Sequence, residues 1–154
     1  MPKKDLKKIQ SLVEDLLAEL GVAASFSVTT DKDSPLINIQ IETEQPALLI
    51  GFHGETLSAV ERILSFMIHR VLGRWHKVVV NVGDYRQKRE EQIKRLALNL
   101  AMKAKFSKET QSIPNLSASE RRIVHLVLAD HPDVYTESEG EGKERYLTIK
   151  LKTG

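Results

Sequence analysis

Apolar residues recur at Leu6, Ile9, Leu12, Val13, Leu16, Leu17 and Leu20. This three-and-four spacing predicts one buried helix face, and Gly21 follows where a helix terminator is expected. The pattern then changes period. AASFSVTTD and PLINIQIET are β-rich stretches separated by DKDSP, whose Asp, Ser and Pro are turn formers, so the pair predicts a hairpin. Pro46 opens a short apolar helical segment that ends at Gly51 and Gly54. Leu57, Val60, Leu64, Met67 and Ile68 resume helical spacing. KVVVNV closes the run as a strongly β-branched strand, expected to be buried on both faces.

A second unit follows without a linker, placing the boundary at Gly83 and the domains at 1–83 and 84–154. Asp84 can cap a helix running to about Phe106, with Ile93, Leu96, Ala97, Leu100 and Ala104 on its apolar side. SKETQSIPNL reads as a connection. Ser117 and Glu120 then have the S-x-x-E spacing of a capping box, which predicts a helix start. That helix carries Arg121, Arg122, Ile123, His125, Leu126 and Val127 and stops before Pro132. DVYTES and RYLTIKLK flank a charged, glycine-containing turn and predict a closing hairpin.

Composition narrows the class without choosing a function. At 154 residues, 41% hydrophobic and 29% charged, the chain fits a globular protein of one domain or two small ones. It has no cysteine, which excludes disulfides, thiolate zinc sites and cysteine nucleophiles. The charged N-terminus lacks a signal-peptide core, and no apolar run approaches the roughly 20 residues of a spanning helix. A cytoplasmic protein without membrane insertion is expected. The formal charge of +2 is small but segregated: residues 84–108 hold eight Lys or Arg against three acids, whereas acids gather in TESEGEGKE. Such segregation suits either a solvated helix face or a polyanion-binding surface.

Two motifs bear on chemistry. Gly51, Phe52, His53 and Gly54 form a G-x-x-G loop between two helices. By itself that is a tight turn, or a place where phosphates approach a backbone without side chains and meet the free N–H groups of the next helix. The unit resembles the KH fold of the prokaryotic type, whose G-x-x-G loop clamps about four nucleotides. Ile50, Leu57 and the hairpin residues are then candidates for the groove floor, most of them serving the core as well. KH loops usually carry a basic residue between the glycines; here Phe52 can stack on a base or pack inward, and His53 can donate to phosphate or be a solvated loop residue.

Arg121 and His125 stand four residues apart, on one helix face. With Arg122, the VYTESEGEG hairpin and the preceding YRQKREEQIKRLA helix, they resemble the R-3-H domain, which binds single-stranded nucleic acid. The order of the two units, from about Leu6 to Leu151, resembles the bacterial SpoIIIJ-associated family, also called Jag or KhpB, without its separate N-terminal domain. That resemblance implies an α+β protein of two small domains, a type II KH fold then an R-3-H fold, each a small sheet packed with helices. It implies a non-catalytic protein binding single-stranded RNA, with single-stranded DNA as the variant, and a role as RNA chaperone or post-transcriptional regulator linked to cell division or envelope growth. Arg121 would fork onto a phosphate, His125 would donate to or stack on a nucleotide, and Arg86 and Arg89 would add diffuse attraction. No cofactor or metal is implied. A different reading pairs the KH unit with a small KH-domain protein. A third builds a metal-dependent nuclease on His125, Asp130, His131 and Asp133, although their spacing fits no metal helix motif.

Overall fold

The computed structural model describes residues 1–31 and 34–153, so Lys32 and Asp33 of the expected DKDSP turn lie outside the described residues. The chain divides into two compact units, Met1–Arg86 and Gln87–Gly154.

The first unit runs α1 (Lys3–Glu19), β1 (Ala24–Thr30), β2 (Leu36–Thr43), α2 (Pro46–Ile50), α3 (Glu55–Leu72) and β3 (Lys77–Val82). Its sheet has the order β1-β2-β3. The predicted hairpin forms antiparallel from Ala24↔Thr43 to Thr30↔Ile37, and β3 lies parallel to β2 from Leu36↔Lys77 to Ile41↔Val82. Every second strand residue points at the helices: Ile37, Ile39 and Ile41 of β2 with Val78, Val80 and Val82 of β3 meet Ile9 and Val13 of α1 and Leu64 and Ile68 of α3 in one core. β3 therefore departs from expectation. It is an edge strand buried on one face, with Val79 and Asn81 only partly covered, because both long helices serve the same side of the sheet.

The second unit begins within α4 (Tyr85–Ser107) and continues through β4 (Gln111–Ile113), α5 (Ala118–Leu128), β5 (Val134–Glu139) and β6 (Tyr146–Leu151). The closing hairpin pairs antiparallel from Val134↔Leu151 to Glu139↔Tyr146. β4, inside the stretch read as a connection, pairs with the other edge of β6, which makes β6 the central strand of the order β4-β6-β5. The inward face of α4 is Ile93, Ala97, Ala101 and Ala104, packed with Val124, Leu128, Val134, Leu147 and Ile149. Leu96, expected on that face, is exposed. The alanines let the helix backbone approach its neighbours closely, which a leucine at their positions would prevent. Among the described residues, no helix is long and apolar enough to cross a membrane.

Candidate nucleic-acid interface

The loop between α2 and α3 needs glycine for the protein's own geometry. Gly51 has φ +69° and Gly54 φ +82°, in the left-handed region that disfavours a Cβ. A Cβ at Gly51 would stand 2.1 Å from Thr56 Oγ1, and one at Gly54 3.2 Å from the Tyr85 ring. Between them His53 also takes a positive φ of 51°, so residues 52 and 53 are turned outward as a raised tip. The inward alternative for Phe52 is excluded, since it is 63% exposed. Its ring stacks on His53 with centroids 3.9 Å apart and planes 18° from parallel. The N-cap of α3 receives no side-chain hydrogen bond, so the tip offers ring surface beside helix N–H groups. It carries no Lys or Arg. Of the expected floor positions, Leu57 serves the core and Ile50 is partly accessible.

In the second unit the predicted capping box is present. Glu120 N donates to Ser117 Oγ at 3.2 Å, and Ser117 N donates to Glu120 Oε2 at 2.8 Å. This fixes the first turn of α5 and hence the direction of Arg121. The Arg121 Nη1 donates to Leu116 O at 2.7 Å, which holds the guanidinium while its remaining donors stay available for an anion. One turn on, His125 Nδ1 is 2.6 Å from Thr136 Oγ1 and Nε2 is 2.9 Å from Ser138 Oγ. Both ring nitrogens are thus engaged by β5, and the expected role as a free donor is already filled within the protein. What remains for a ligand is the ring face. Burial first, then Arg121 and Arg145, hold the His125 pKa below its ordinary value. In the neutral ring, one nitrogen donates and the other accepts.

Strand alternation explains how an acidic hairpin can border this site. Thr136 and Ser138 face α5, whereas Glu137 and Glu139 point to the other face of the sheet. There Lys150 Nζ pairs with Glu137 at 2.6 Å and Glu139 at 2.7 Å. Arg122 is exposed and has no hydrogen-bond or ion-pair partner among the described residues. Thr136, Ser138 and Arg145 escaped the sequence reading; period-two spacing in the strand was the available signal for the first two.

The two long-helix arginines each meet a carboxylate of the protein. Arg86 Nη2 pairs with Glu61 Oε2 at 2.6 Å while its Nε donates to Val80 O at 3.1 Å. Arg89 Nε binds Glu120 Oε1 at 2.8 Å, with its side chain 18% exposed. Carboxylates within hydrogen-bond reach make both arginines structural ties. Of the residues read as a nuclease alternative, His131 Nδ1 accepts from Asp133 N at 3.1 Å, and Asp133 pairs with Lys105 at 2.8 Å. Among the described residues no three His, Asp or Glu side chains cluster so as to hold a metal ion.

Residues 91–151 match the R-3-H domain family, so the second unit, with its Arg121 and His125 on a capped helix against a three-stranded sheet, is an R-3-H domain. Over 134 residues the chain is 33% identical to the RNA-binding protein KhpB of Bacillus subtilis (strain 168), covering 86% of this chain and 64% of that protein. It is 28% identical over 145 residues to the RNA-binding protein KhpB of Clostridium symbiosum, covering 94% and 65%. With the KhpB of Streptococcus pneumoniae serotype 2 it shares 28% identity over 142 residues, covering 92% and 43%. Over most of its length the chain is thus similar to proteins named KhpB. It spans less than two thirds of the length of each of these relatives.

Proposed function

We propose that this chain is a non-catalytic, cytoplasmic protein that binds single-stranded RNA. The R-3-H unit is its principal contact, and residues 1–83 act as a type II KH domain presenting Gly51, Phe52, His53 and Gly54. The observation that carries this reading is the His125 arrangement: a neutral ring fixed to Thr136 and Ser138, beside Arg121 held by Leu116 O and the partnerless Arg122. Positioned guanidinium forks suit phosphates, and a ring face suits an unstacked base, which a duplex does not offer. A protonic or metal-assisted reaction finds less support, because the histidine is tied at both nitrogens. The names of the three relatives point to RNA as the polymer.

The reading is tested by fluorescence anisotropy with single-stranded RNA, single-stranded DNA and duplex RNA. Single strands should be preferred over duplex, with RNA ahead of DNA. Arg122→Ala, at an exposed position, should weaken binding by about tenfold if its phosphate contact has the usual charge-assisted strength. Arg121→Ala with His125→Ala should do so more strongly. Equal binding of all three polymers, unchanged in these variants, would leave only nonspecific attraction and sink the assignment.

A further inference from the structure

The first unit carries a surface that the G-x-x-G reading does not use. Along the outer side of α3, Arg62, Phe66 and Arg70 succeed one another at intervals of four and are all exposed, so they form one ridge. Past the helix end at Gly73, Trp75 folds back onto the ridge. Its ring stacks on His69 with centroids 3.9 Å apart and planes 6° from parallel, and meets Phe66 edge-on at 5.6 Å and 72°. Trp75 is still 59% exposed. One face is backed by His69, so the other is an open, oriented aromatic plate.

Cations predominate around the plate. Arg62, Arg70 and Lys77 are exposed and have no hydrogen-bond or ion-pair partner among the described residues. Arg74 reaches Asp5 only at 3.9 Å, with more than half of its side chain in solvent. The other acids of α3 stand elsewhere: Glu55 opens the helix at its far end, and Glu61 is bound by Arg86 and Val80 N. Aromatic residues and Arg are enriched at protein interfaces too, but cations without partners alternating with exposed rings, Lys77 among them, are the pattern of a single-strand track.

We propose that this plate is a second single-strand contact, where Trp75 stacks one base and Arg62, Arg70 and Lys77 neutralise neighbouring phosphates. It lies roughly 27 Å along α3 from the glycine loop, so it engages a different part of the strand. The proposal rests on the nucleic-acid-binding reading above, and its test separates the two.

Trp75 is the chain's one tryptophan, so its emission reports on this site alone. The full chain is titrated with a mixed-sequence single-stranded RNA while tryptophan emission and the anisotropy of an end label on the RNA are followed. Emission should be quenched to saturation at the anisotropy midpoint. Trp75→Leu should weaken binding by about tenfold, the expected loss of one stacked base. Arg62→Glu with Arg70→Glu, both at exposed partnerless positions, should shift the quenching midpoint by a similar factor. Binding by anisotropy with unchanged emission, or quenching indifferent to the two glutamates, overturns the plate while the RNA-binding reading stands. Absence of any anisotropy change overturns both. Self-association that Trp75→Leu abolishes, with RNA affinity unaltered, rejects the proposal in favour of a protein contact.

Discussion

His125 is a half-buried tie with one face left for a ligand, and its protonation links stability to binding. Burial, Arg121 and Arg145 hold its folded pKa below the ordinary 6.5. In the window between the folded and ordinary values, the unfolded chain binds more protons than the folded one, so stability rises with pH. This contribution is complete above about pH 6.5 and is lost as pH falls toward and through the folded value. A phosphate beside Arg121 and Arg145 reverses the local field and favours the imidazolium. RNA affinity should therefore strengthen over the same acid window in which the free protein loses stability. Thermal denaturation and anisotropy from about pH 7.5 to about pH 5 check both slopes. His125→Asn should flatten the two together, and a parent whose affinity is level across that range would remove the ring from the phosphate's neighbourhood. At Gly51 the physics points inward instead. The 2.1 Å approach of Thr56 Oγ1 to a would-be Cβ means that substituting this glycine perturbs the fold before it perturbs RNA, so Phe52 and His53 are the informative positions in the loop.

Helix α5 shows how one carboxylate joins two elements. Glu120 Oε2 closes the capping box and Oε1 receives Arg89 of α4 at 2.8 Å, with Glu120 only 8% exposed. Glu120→Gln keeps the shape but removes the charge opposite a mostly buried guanidinium. The expected cost is about 3 kcal/mol, at the low end for breaking a buried pair because water still reaches Arg89. Urea denaturation measures it, and Arg89→Met completes a double-mutant cycle; a coupling below about 0.5 kcal/mol would show that the pair is not a joint. The capping box was legible in the sequence because both of its halves are three residues apart. Glu120's second partner was not, since it lies 31 positions away. The same difference separates Arg121 and His125, readable from helical spacing, from Thr136 and Ser138, which reach the site only through tertiary packing. α4 misled for another reason. Leucines occupy both of its sides, and the buried side is marked by alanines, which carry little hydrophobic signal. β4 has three residues, too few for alternation to declare itself.

For the whole molecule, a formal charge of +2 cannot account for strong attraction to a polyanion, so affinity must come from where cations are unengaged. Many basic side chains of the 84–108 segment are not: Arg86, Arg89, Lys94 and Lys105 each face a carboxylate at 2.6 to 2.8 Å. The charge run therefore overstates the basic surface available to a ligand. Three cations border the R-3-H site, Arg121, Arg122 and Arg145, and each phosphate neutralised on a single strand contributes about −0.7 to the slope of log affinity against log salt. Contact through this unit alone predicts a slope of about −2. Arg121→Ala with Arg122→Ala should then bring it close to about −0.7. Phe52→Asp with His53→Asp removes no Lys or Arg, so a working glycine loop should lose affinity to repulsion at low salt and recover much of it at high salt, where the added charges are screened. A parent slope much steeper than about −2 that survives the arginine pair would place most ion contacts outside the R-3-H unit. A slope that collapses with the pair, beside an indifferent loop variant, would leave the R-3-H unit as the sole electrostatic contact and deny the first unit's glycine loop a part in binding.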